Sequence, residues 1–147
     1  MTIMTDLDAI NADLMGGSAR SAFGRDVEAG TEISGEIISV LRRQRRHRET
    51  GEPLFWVNRK PAVAESGRPV LDSIVIVQTD LQDDDEDDGL RSVYLDRDVQ
   101  TALRAGLRRA RVGGIEIGGY LDGLMFVGPN EKGAGRVYDL KEYRRPA

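Results

Sequence analysis

The chain has 147 residues, 39% of them apolar and 31% charged, with a formal net charge of −4, one histidine and no cysteine. This suits one modest core, and no run approaches the roughly 20 apolar residues that a membrane-spanning helix needs. Disulfides, thiolate metal sites, cysteine nucleophiles and a His-rich zinc site are excluded, and any Ser-His-Asp scheme would depend on His47 alone.

The opening, MTIMTDLDAINADLM, lacks the basic and apolar regions of a secretory leader, so none is expected. Leu7, Ile10 and Leu14 have helical spacing over 6–15, and Gly16-Gly17-Ser18 ends that pattern. Residues 1–29 read as an N-terminal arm, partly disordered, and 30–147 as one domain. Alternation over 31–41 predicts a strand running into an arginine cluster. ETGEP (49–53) reads as a turn, LFWV (54–57) as a short apolar piece and 58–69 as a long loop. A β-branched run over 74–79 predicts a second main strand, 83–88 an acidic loop ending at Gly89, and 91–95 a third strand. Val99, Leu103, Leu107 and Ala110 then predict a helix over 97–111, capped by Asp96 and ended by Gly113-Gly114. Strand pieces follow at 115–121 and 124–127, broken at Gly118-Gly119 and at a hairpin turn, Asp122-Gly123. Residues 136–143 form the last strand, with Val137, Asp139, Lys141 and Tyr143 on one side and Tyr138 and Leu140 on the other.

One helix between the third and fourth of five strands is the order of an OB-fold, a small Greek-key barrel. The expected class is therefore all-β with one helix. Gly35, Gly118 and Gly119 stand where such a barrel bends its strands.

Charge is segregated along this frame. Segment 42–60 has seven bases against two acids, 80–88 has seven acids and no base, and 97–111 has five arginines against one aspartate. Local potential governs binding, because charges beyond a Debye length of about 8 Å are largely screened at physiological salt. In RRQRRHRETGEPLFWVNRK, the side chains of Arg42, Arg43, Arg45, Arg46, Arg48, Arg59 and Lys60 suit phosphate oxygens. Phe55 and Trp56 offer faces for base stacking, Phe55 reading rather as a plug for the barrel end. On the third strand Tyr94 is a candidate stacking platform and Arg91 a candidate contact. Alternation puts Ser92 and Tyr94 on one side and Arg91, Val93 and Leu95 on the other. Arg104, Arg108 and Arg111 read as a solvated helix face.

The acidic loop fails as an EF-hand, since a loop starting at Asp84 has Leu95 where the last carboxylate ligand belongs. It reads as a solvated charge run, a dock for replication or recombination proteins, or a cover over the arginine cluster. No phosphate-binding glycine motif and no catalytic constellation is present, so no enzyme activity, cofactor or metal is expected. Single-stranded DNA is the expected partner, no membrane is, and homo-oligomerisation is left open. The alternative is a non-catalytic protein–protein adaptor.

The runs GTEISGEIISV (30–40), PLFWV (53–57), RPVLDSIVIVQTDLQDDDEDDGLRSVYL (68–95), the helix, and VGGIEIGGYL (112–121) resemble the small single-stranded-DNA-binding proteins of phages infecting actinobacteria. The likeness covers roughly 30–143, and VQTDL with DDG and the following YL is its most specific part. It implies an OB-fold, a role in phage DNA replication or recombination in the host cytoplasm, and no catalysis. Unlike the better-known bacterial single-strand binders, which end in an acidic tail, this chain ends in the basic KEYRRPA.

Overall fold

The computed structural model of the protein describes residues 19–133 and 135–147; the helical pattern over 6–15 and its glycine stop lie outside the described residues. The strands are β1 (Arg20–Ser21), β2 (Glu32–Gln44), β3 (Leu54–Val57), β4 (Lys60–Val63), β5 (Leu71–Gln78), β6 (Leu90–Tyr94), β7 (Tyr120–Pro129) and β8 (Arg136–Arg144). Among the described residues there is one helix, α1 (Arg97–Ala110), between β6 and β7. Six strands form a curled mixed sheet, a half-barrel, in the order β1-β6-β5-β2-β7-β8, and β3 with β4 forms a separate ribbon. The five strands expected from the sequence are thus too few.

β2 is long because it serves two neighbours. Its first half pairs with β7, from Glu32↔Met125 to Glu36↔Tyr120. Its second half pairs with β5, from Glu36↔Gln78 to Gln44↔Leu71. The register slips between Ile33 and Gly35. A side chain at Gly35 would run into the Gln78 carbonyl, so the close approach there requires glycine.

Inward residues close one main core: Ile33 and Ile37 of β2, Val75 and Val77 of β5, Val93 of β6, Leu121, Leu124 and Phe126 of β7, and Tyr138, Leu140 and Tyr143 of β8. α1 covers it with Val99, Ala102 and Leu103. Each such side chain contributes roughly 1.5 to 3 kcal/mol on burial. The Asp96 side chain accepts the Val99 N–H at the helix start. At the other end the left-handed residue is Arg111 (φ 59°), not a glycine. The N–H groups of Arg111 and Val112 bond back to the carbonyls of Arg108 and Leu107, so the helix is closed before Gly113 is reached.

The sheet does not close by direct pairing of β6 with β8. Residues 20–27 fill the gap instead. β1 lies parallel to β6, and the Ala22 N–H reaches the Ser92 carbonyl. Phe23 meets Tyr138 of β8 edge-on at 5.1 Å, and the Arg136 guanidinium donates to the carbonyls of Gly24 and Arg25.

Four further expectations fail for local reasons. The 58–69 loop contains β4, because a two-residue turn at Asn58-Arg59 folds it back on β3. Residues 115–119 are not strand, and Asp122-Gly123 is no hairpin turn but lies inside β7, with the Gly123 N–H held by the Ser34 hydroxyl. The reversal comes later, where Asn130 and Gly135 bond before β8. Tyr143 turns inward rather than outward, and its hydroxyl accepts the Glu116 N–H.

Candidate nucleic-acid interface

The end of the half-barrel where β2 finishes collects the basic residues. Strand alternation sends Arg42 and Arg43 to opposite faces of β2. On the Arg43 side a groove of about 600 Å³ is lined by Arg43, Arg45, Arg46, Asp72 and Tyr94, with Ile74 at its base. An adjoining hollow of about 460 Å³ shares Arg45, Asp72 and Tyr94 and continues to Ser73, Arg97 and Gln100. Tyr94 stands between the two and is 47% exposed, directly across from Ile74 in the β5–β6 ladder. Arg45 donates through Nε and Nη2 to one carboxylate oxygen of Asp72, at 3.0 and 2.8 Å.

The other expected residues sit around this groove rather than in it. Arg42 lies with Val40 and Leu95 beside an apolar hollow of about 430 Å³. Arg48 is in the turn after β2, which His47 anchors: its Nδ1 accepts the N–H groups of Glu49 and Thr50. The histidine therefore has a local structural task. β3 is tied to the basic end by the Leu54 N–H, which donates to the Arg45 carbonyl, and to the segment before β5 by the Trp56 N–H, which donates to the Arg68 carbonyl. Trp56 is 38% exposed on this ribbon, and Phe55 is half-buried beside Gly67 and Pro69.

Arg59 and Lys60 follow at the ribbon tip. Asn58 and Arg59 have φ of 50° and 67°, a pair of left-handed residues where hairpins favour Asn-Gly. An arginine is thus held in a conformation that glycine adopts more easily. Arg59→Gly is expected to raise stability by about 0.5 to 1 kcal/mol while lowering polyanion affinity. Thermal melts and oligonucleotide titrations of the same variant check this; a gain in both would remove Arg59 from the interface.

Arg91 is a correction. It faces the core side, as its alternation with Tyr94 demands, and its side chain is 4% exposed. Its guanidinium makes a two-pronged bond to Asp87, at 2.8 and 2.7 Å, and reaches Asp83 at 3.3 Å. No surface is left to touch a ligand. The same carboxylate accepts the N–H groups of Asp83 and Gly89. Arg91 first, and then those N–H groups, hold the Asp87 carboxyl well below the usual carboxylate range.

The acidic loop is therefore built around Arg91, and it cannot cover the arginine cluster. The cluster adjoins Leu71 at the start of β5, whereas the loop follows Gln78 at its end. Seven residue steps of strand separate them by about 23 Å.

Arg97, Gln100 and Asp72 are not among the strand contacts expected from the sequence. Arg97 was readable, since it follows Tyr94 by three residues across the Asp96 cap. Asp72 was not, because its place depends on the β2–β5 register that sets it opposite Arg43. Comparison of the chain with protein-family models, curated proteins and solved structures finds no match.

Proposed function

We propose that the protein is a non-catalytic single-stranded-DNA-binding protein, largely sequence-tolerant, acting in phage DNA replication or recombination. The observation that carries this reading is an exposed Tyr94 ring in a groove with Arg43, Arg45 and Arg46. Stacking on aromatic faces beside guanidinium groups is how proteins hold unpaired strands, because every base has a π-face and every nucleotide a phosphate. A duplex hides its base faces and gains only the phosphate part.

The OB reading belongs to the same proposal. β2, β5, β6, α1, β7 and β8 follow the chain order of an OB barrel's five strands and helix, with β2 pairing to both β5 and β7. On that frame β5 and β6 supply the binding face and the β2–β5 connection supplies the ribbon, the regions such barrels use for oligonucleotides.

Titration with single-stranded DNA, RNA and duplex DNA at two salt concentrations tests the reading. Single-stranded DNA is expected to bind more tightly than duplex DNA and to quench the lone Trp56. Tyr94→Ala and Trp56→Ala should each cost about 1 to 3 kcal/mol with little change in salt dependence. Equal binding of duplex and single strand by both variants and the parent would overturn it.

A further inference from the structure

Asp72 is out of place on a surface made for phosphates. It lies in the groove among Arg43, Arg45 and Arg46, where a carboxylate repels the backbone of a bound strand. Its side chain is 24% exposed, so it is neither buried nor free in solvent. Arg45 fixes it in one orientation by placing both donors on Oδ1. Oδ2 has no donor among the described residues. On the sheet, Asp72 is two residues from Ile74, which is directly opposite Tyr94, so Asp72 and Tyr94 share one face as diagonal neighbours. Diagonal neighbours lie about 7 to 8 Å apart, close to the width of a base. A base stacked on Tyr94 is within reach of Asp72 along one edge.

We infer that Asp72 reads that edge and gives the groove a preference for bases carrying an exocyclic amino group, cytosine above thymine. The cytosine N4 amino group donates to a carboxylate. Thymine offers the O4 carbonyl at the same position, so two acceptors would face each other. Arg45 then has two tasks, phosphate attraction and orientation of the reading carboxylate. The inference rests on the single-strand reading above and sharpens its sequence tolerance at one nucleotide position.

The test is a competition titration with dC and dT homo-oligonucleotides of equal length, on the parent and on Asp72→Asn. The parent should hold the dC strand about fivefold more tightly than the dT strand. Asp72→Asn, with an unchanged melting temperature, should bring the dC-to-dT ratio near one. Equal affinities in the parent, or a dC preference that survives Asp72→Asn, would overturn the assignment of Asp72 and leave strand binding intact. Failure of both oligonucleotides to bind the parent would remove the proposed function and this inference together.

Discussion

Replacing Arg43, Arg45 and Arg46 together with alanine is expected to weaken single-stranded DNA binding on the order of 50-fold at 0.15 M monovalent salt. These three share the groove with Tyr94, so on the proposed reading they meet the phosphates of a strand stacked there. Each phosphate contact on a single strand contributes about 0.7 to the log–log salt slope. A parent engaging about six phosphates has a slope near −4, and the triple variant a slope near −2. Tyr94→Ala behaves differently, losing affinity at every salt concentration by a similar factor. Binding isotherms at four salt concentrations separate the two patterns. A triple variant that keeps the parent slope would move the phosphate path elsewhere, first to Arg59 and Lys60 on the ribbon. Arg42→Ala, on the other face of β2, supplies the internal control and should change the slope by less than any groove arginine.

The second large effect is on stability. Arg91→Ala is expected to cost about 3 to 5 kcal/mol, because it strands a carboxylate whose partner guanidinium is 4% exposed. For a chain of this size that lowers the melting temperature by about 10 °C or more. The loss is specific in place as well as size. Arg91 holds Asp87 and Asp83, and its backbone is level with Arg20 in the β1–β6 pairing, so the acidic loop and β1 loosen first. Hydrogen exchange over 80–90 would show it, and a melting temperature equal to the parent's would refute it. The pH dependence follows from the lowered pKa of Asp87, whose unperturbed value is 3.8. A carboxylate depressed in the folded state contributes stability that is complete above its unfolded pKa. That contribution is lost as pH falls through about 4 toward the folded value. The parent should therefore destabilise more steeply below pH 4 than Arg91→Ala, in which Asp87 has lost its main reason to stay ionised.

Charge segregation, the apolar alternation of 31–41 and 74–79, and the Asp96-capped helix are properties of neighbouring residues. Period and covalent spacing suffice to read them. The groove is legible only in part. Arg43, Arg45, Arg46 and Tyr94 were named from residue type, because guanidinium groups and exposed aromatic rings suit nucleic acid wherever they stand. What could not be read was which of them share a face. The strand expected over 31–41 runs on to Gln44, and only there does alternation part Arg42 from Arg43 although they are adjacent.

Arg91 and Asp72 make the same point from opposite directions. Both are charged residues in strands, and the sequence offers Arg91 as a contact but not Asp72. Only the sheet register and the fold of the 79–90 loop decide that Arg91 is enclosed by Asp87, while Asp72 is set into a basic groove beside Tyr94. The chain by itself determined the chemistry on offer: a basic segment with aromatics, an acidic loop, and one apolar core with a capped helix. Tertiary structure decided which charges neutralise one another and which stay exposed. Ion pairs and cross-strand neighbours join residues that the sequence keeps apart, and their energies depend on burial and distance, which exist only once the chain has folded.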